Sequence, residues 1–211
     1  MELNDYQKGV LTSIYGPPAS GKTTLCLKVA GEFAKVNKKV IFVDTENSFS
    51  LERLKQMFPE YFNQIIKNII RIKIDNLDHQ LQILEKLKQT NNIDIVIIDS
   101  LSFYYRKELK ENTKLTNEKI VQIFRELIHI AKDHNIPVIS TNQIYNKMET
   151  NEIMPVGGNL LKKMSKVLIK LECNPCRKLY LEKHPNIECK EVYFKIINSG
   201  LELSQNLNKT E

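Results

Sequence analysis

The chain has 211 residues, 42% hydrophobic and 27% charged, with a formal net charge of +6 and an isoelectric point near 9.0. This balance excludes an intrinsically disordered chain, and four cysteines are too few for a disulfide scaffold. No apolar run reaches the roughly eighteen residues of a membrane span, and the N-terminal MELNDYQKG lacks a signal-peptide core, so the sequence predicts a cytoplasmic globular protein.

Taken in chain order, Leu11–Tyr15 (LTSIY) reads as a buried strand. From residue 24 to 36, apolar Leu25, Leu27, Val29, Ala30, Phe33 and Ala34 recur at helical spacing. Between strand and helix lies GPPASGKTT, which fits GxxxxGK[ST] at every position: Gly16, the four residues Pro17, Pro18, Ala19 and Ser20, then Gly21, Lys22 and Thr23, with Thr24 following. A glycine loop between a strand and a helix is the setting of a phosphate-binding P-loop. Its backbone N–H groups and the helix N-terminus face phosphate oxygens, Lys22 brings a positive charge to the β and γ positions, and the Thr23 hydroxyl ligates magnesium. ATP with Mg2+ is the expected cofactor.

Residues 38–44 (KKVIFVD) are the next strand, and residues 50–58 a short helix with Ser50 as N-cap. A third strand (69–75) and a helix (77 to about 89) precede IDIVIID (93–99), an apolar run typical of a strand buried on both faces. Asp99 ends that run, where a carboxylate positions hydrated magnesium. Glu46, just past the second strand in VDTENSF, projects toward the same crevice and can polarise water for attack on a γ-phosphate; an exposed loop glutamate has the same spacing. Residues 116–134 form an amphipathic helix and 136–143 a strand; 166–197 reads as an antiparallel series of strands. The predicted fold class is therefore α/β, a mostly parallel twisted sheet with helices on both faces and antiparallel strands at its C-terminal edge. One domain spans residues 1–203, and 204–211 form a disordered tail.

Cys173 and Cys176 have zinc-knuckle spacing, with His184 and Cys189 as further ligands, but an Asn-Pro turn between VLIKLE and KLYLEK makes the same segment a hairpin with incidental thiols. Between residues 156 and 184, seven basic residues stand against two acidic ones. That excess suits a polyanion partner or an ordinary solvated face.

VDTENSFSLERL, IDIVIIDSLSFYYRKEL, PVISTNQI and PVGGNLL occur in the order and spacing of the RecA/RadA recombinase core, and the chain resembles that family from about residue 9 to 200. Its compact form and the late Lys183-His184 pair are most similar to the RadB branch. The resemblance implies a RecA-like fold and roles residue by residue. Glu46 matches the water-activating glutamate, Arg53 an arginine stacking on adenine, and Gln143 the γ-phosphate sensor leading into a DNA-binding loop. It implies single-stranded DNA and a RadA-type recombinase as partners. The DNA-facing segments would be residues 107–116 and 144–156, with Arg106, Tyr145 and Lys147 as contacts and Lys162, Lys163 and Lys166 as nearby cations.

Only fifteen residues precede Gly16. The expected protein is therefore a weakly hydrolysing accessory factor of recombination and repair, a monomer or small oligomer forming no long filament. A small-molecule P-loop kinase or a KaiC-like signalling ATPase is the alternative; the arginine-rich lid of a kinase has no counterpart in the sequence.

Overall fold

The computed structural model describes residues 6–147 and 152–204. Along the chain run β1 (Leu11–Tyr15), α1 (Lys22–Lys35), β2 (Val40–Asp44), α2 (Leu51–Met57), α3 (Phe62–Asn68), β3 (Ile69–Lys73), α4 (Leu77–Lys88), β4 (Ile95–Asp99), α5 (Ser102–Glu108), α6 (Thr113–Asp133) and β5 (Val138–Asn142). The hairpin β6 (Ile144–Lys147) and β7 (Glu152–Pro155), α7 (Gly158–Met164), β8 (Val167–Glu172), β9 (Lys178–Lys183), β10 (Lys190–Ile197) and β11 (Gly200–Ser204) follow. One sheet has the order β11-β10-β9-β8-β1-β5-β4-β2-β3. Neighbours from β8 to β3 are parallel, and those from β8 to β11 antiparallel.

β2 and β4 are buried at every position because the sheet is covered twice. Val40, Phe42, Ile95 and Ile97 pack with Phe33, Leu54 and Ile65 of α1, α2 and α3, whereas Ile41, Val43, Val96 and Ile98 pack with Leu84 of α4 and Phe124 and Leu127 of α6. Successive strand side chains point to opposite faces, so a continuous apolar run needs an apolar layer on each side. Each such large side chain contributes about 1.5–3 kcal/mol by leaving water. The starts of α2, α4 and α6 are set by capping side chains. Ser50, Asn76 and Asn112 accept from the backbone N–H groups of Arg53 (3.1 Å), His79 (2.8 Å) and Leu115 (3.0 Å). Among the described residues no helix is long and apolar enough to cross a membrane.

The C-terminal strands follow the sequence pattern, and two other segments depart from it. β8 opens the antiparallel series read across residues 166–197 by pairing with β9, and on its other side it lies parallel to β1, with Thr12 opposite Val167. Its buried Val167, Leu168 and Ile169 reflect that interior place. Residues 107–116 are largely helical rather than a loop, since α5 runs to Glu108 and the Asn112 cap starts α6 at Thr113. Residues 144–156 open and close as the β6/β7 hairpin, with 148–151 outside the described residues. Ser204 ends β11, and residues 205–211 of the expected tail also lie outside them. The hairpin across residues 174–175 forms as read, with Leu171 opposite Leu179.

α1 carries Gly31 where helix propensity alone favours alanine by about 1 kcal/mol. A Cβ there would lie 2.1 Å from Cε2 of Phe58, a ring that is only 8% exposed. Gly31→Ala is expected to destabilise the protein by roughly 1–3 kcal/mol through overpacking, seen as a lower urea midpoint at unchanged slope. A raised midpoint would mean that propensity outweighs the clash.

Candidate functional site

The parallel strands present their C-terminal ends at one edge, where crossover connections diverge and a crevice opens. β1 leads there into the loop at residues 16–21. Gly16 abuts β8 so closely that a Cβ would lie 2.3 Å from the Leu171 carbonyl oxygen, and its N–H donates to Asn142 O at 3.3 Å. Ala19 and Gly21 have positive φ, 59° and 102°. The turn they make delivers the chain into α1, whose first-turn amides on Lys22, Thr23 and Thr24 have no acceptor within the helix. Those amides and the helix dipole form an anion site. Lys22 Nζ donates to Gly16 O (2.8 Å) and Pro17 O (2.7 Å). Burial pulls its pKa below the usual lysine value, opposed by the negative charges of Asp99 and Glu46. Pro18 lies exposed in the same loop, while Ser20 Oγ is buried with no hydrogen-bond partner among the described residues.

In-register pairing of β2 with β4 sets Asp44 opposite Asp99. Their surroundings differ. Asp99 accepts from three hydroxyls: Thr23 (2.7 Å), Ser48 (2.9 Å) and Thr141 (2.5 Å). Asp44 accepts from the Ser48 and Phe49 amides (2.9 and 3.2 Å) and from Arg71 Nε (2.9 Å) and Nη2 (2.6 Å). Asp44 thus braces the loop that carries Glu46. The Glu46 carboxylate accepts a short hydrogen bond from Ser100 Oγ and two long ones, both 3.4 Å, from Gln143 Nε2. Gln143 Oε1 in turn accepts a short bond from Arg106 Nη1.

Arg53 sits at the rim, with Nη2 donating to Ile197 O (2.6 Å) and Nη1 to Gln56 Oε1 (3.0 Å). A cleft of about 540 Å3 beside Arg106 is lined by Tyr105, Lys110, Tyr145 and Gly157. Tyr145 is 44% exposed. Lys147 ends β6, and Lys162 and Lys163 of α7 are exposed, as is Lys166. Among the described residues no group of three or more His, Cys, Asp or Glu could hold a metal ion, so Cys173, Cys176, His184 and Cys189 do not converge as ligands. His184 Nδ1 accepts instead from the Asn186 and Ile187 amides (3.1 and 3.0 Å).

The structure brings the P-loop, Asp99, Glu46, Gln143 and Arg106 together. It adds Asp44, Arg71, Ser48, Ser100 and Thr141, which sequence reasoning missed. Asp44 carried a signal, as an acid ending an apolar strand. The others become partners only through strand register. The Rad51 family model matches residues 4–204. The chain belongs to the Rad51 family. Curated relatives named DNA repair and recombination protein RadB include one from Methanococcus maripaludis, 38% identical over 203 residues with 93% of each chain covered. Another, from Methanocaldococcus jannaschii, is 33% identical over 208 residues, covering 95% of this chain and 96% of that one. A crystal structure of the RadB recombinase superposes with a TM-score of 0.76 at 33% identity, over 93% of this chain and 91% of the other. The sheet is accordingly the RecA-like fold of the Rad51 family.

The donor set of this Rad51-family site fits a triphosphate and a hard divalent cation. Thr23 and Asp99 supply oxygen ligands 2.7 Å apart, and the Ser20 hydroxyl is a buried polar atom inside the loop. The brace at Asp44 is testable. Asp44→Asn is expected to lose about 3 kcal/mol, the low end for a broken buried pair, because Arg71 is 27% exposed. Ser48→Ala should lose about 1 kcal/mol. Urea melts that rank the two variants the other way would place the loop's main support outside the carboxylate pair.

Proposed function

We propose that this protein binds ATP with magnesium, hydrolyses it weakly, contacts single-stranded DNA, and modulates a RadA-type recombinase in homologous recombination and DNA repair. The observation that carries the reading is the chain of hydrogen bonds from the P-loop edge outward, Glu46 to Gln143 to Arg106, in a Rad51-family chain. Family membership favours this over phosphoryl transfer to a small molecule or to the chain itself.

Each residue then has a role that its surroundings support. Thr23 and Asp99 would hold the magnesium ion, which would supply positive charge against the phosphates. Lys22 exchanges its bonds with Gly16 O and Pro17 O for phosphate oxygens. The loop amides between Gly16 and Thr24 cradle the chain of phosphates. Glu46, held by Ser100 and Gln143, takes a proton from the attacking water. Arg53, bonded along its edge to Ile197 O, keeps a planar face for adenine.

The cleft lined by Tyr105, Arg106 and Tyr145 has aromatic rings beside a cation, the pairing that stacks and neutralises single-stranded DNA. Exposed Lys162, Lys163 and Lys166 extend the positive charge, and Lys147 is proposed as a further contact. A recombinase can dock on the edge of β3, which among the described residues pairs with β2 alone and exposes Ile70 at 54%. We further propose that the protein acts as a monomer or small oligomer in the cytoplasm.

Phosphate release and ATP binding, each measured with and without single-stranded DNA, test the site. Lys22→Ala should weaken ATP binding by roughly 10- to 100-fold. Glu46→Gln should keep binding and lose roughly 10²- to 10⁴-fold in hydrolysis; hydrolysis that survives makes Glu46 a loop acid.

DNA binding should weaken steeply with salt, because phosphate contacts release counterions. Replacing Lys162, Lys163 and Lys166 with glutamate should lower affinity and flatten the salt slope by about 2–3 in log-log units. Binding indifferent to both changes would return these lysines to a solvated face.

A further inference from the structure

The P-loop is gripped from the C-terminal strands at a point that no motif marks. Arg177, in the turn between β8 and β9, donates from Nη1 to Ala19 O at 2.6 Å. Ala19 has φ of 59°, a left-handed conformation disfavoured for a residue with a Cβ. The peptide joining Ala19 to Ser20 is held at both ends, its carbonyl by Arg177 and its N–H by Pro17 O at 3.3 Å. That peptide's orientation sets the direction of the amides that follow at Gly21 and Lys22.

The turn is itself anchored. Phe194 N of β10 donates to Arg177 O at 3.1 Å. On either side of the contact the same strands press on the loop. Leu171 O leaves no room for a Cβ at Gly16, and Ile196 Cδ1 lies 3.2 Å from the Cβ position of Gly21. A guanidinium reaching from so firm a support can fix the carbonyl of a peptide that the loop itself holds only through the 3.3 Å bond from Ser20 N to Pro17 O among the described residues.

We infer that Arg177 is a positioning residue for nucleotide binding, clamping the P-loop in its phosphate-receiving shape through the Ala19 carbonyl. The inference rests on the ATP-binding reading above. Because the guanidinium acts on the loop and not on the terminal phosphate, its loss weakens ATP and ADP by the same factor. Losing a charge-assisted hydrogen bond of this kind corresponds to roughly a tenfold change in affinity.

The test is equilibrium binding of Mg-ATP and Mg-ADP to wild type, Arg177→Ala, Arg177→Lys, Lys22→Ala and the neighbouring control Lys178→Ala, with unfolding temperatures taken without nucleotide. The clamp predicts roughly tenfold weaker binding of both nucleotides for Arg177→Ala, partial recovery for Arg177→Lys, wild-type affinity for Lys178→Ala, and unfolding temperatures close to wild type. A loss confined to ATP overturns it by moving the guanidinium to the γ-phosphate. An affinity loss shared by Lys178→Ala and matched by a fall in unfolding temperature overturns it as general destabilisation. If wild type binds ATP, Lys22→Ala binds weakly and Arg177→Ala is unchanged, the clamp alone fails. Wild-type protein that binds neither nucleotide removes the ATP reading and the clamp with it.

Discussion

The carboxylate of Asp99 ties together three elements that lie far apart in the sequence. Thr23 on α1, Ser48 beyond β2 and Thr141 on β5 all donate to it. Asp99 is only 3% exposed, and a carboxylate taken that far out of water is tolerable only when hydrogen bonds replace its hydration. The N-terminus of α1 adds a favourable dipole. The P-loop, the glutamate-bearing loop and the Gln143 segment therefore take their mutual positions from one buried acid.

Parallel register places a second acid, Asp44, directly opposite Asp99. Two neighbouring buried carboxylates repel unless each is compensated, and the protein compensates them in different ways. Asp44 is closed off by Arg71 and two backbone amides. Asp99 is held by hydroxyls, which can share an oxygen with a cation, and it faces the Lys22 charge. The difference in partners makes Asp44 a brace and leaves Asp99 available for chemistry.

What could be read from the sequence follows from the range of each interaction. The P-loop and Asp99 were legible because a loop-to-helix motif and an acid at the end of an apolar strand are local patterns. Ser50 was legible as a cap for the same reason. Arg71, Thr141 and Arg177 were not, since their partners are 27, 42 and 158 residues away and are found only once the strands are in register. The parallel pairing of β8 with β1 was not legible, because a strand's own sequence does not say which strand lies on its far side. The Asn112 cap went unread, so a helix was taken for a loop. The roles of Arg53 and Gln143 came from resemblance, and the structure gives each a hydrogen-bonded place.

Amide hydrogen exchange with and without Mg-ATP tests the central claim most directly, that one buried acid couples the P-loop, the Glu46 loop and the Gln143 segment into a nucleotide site. The account predicts that nucleotide slows exchange together at residues 19–25, 45–49 and 142–143, and that Asp99→Asn uncouples the last two from the first. Protection confined to the P-loop in the wild-type protein, or absent everywhere, would contradict it.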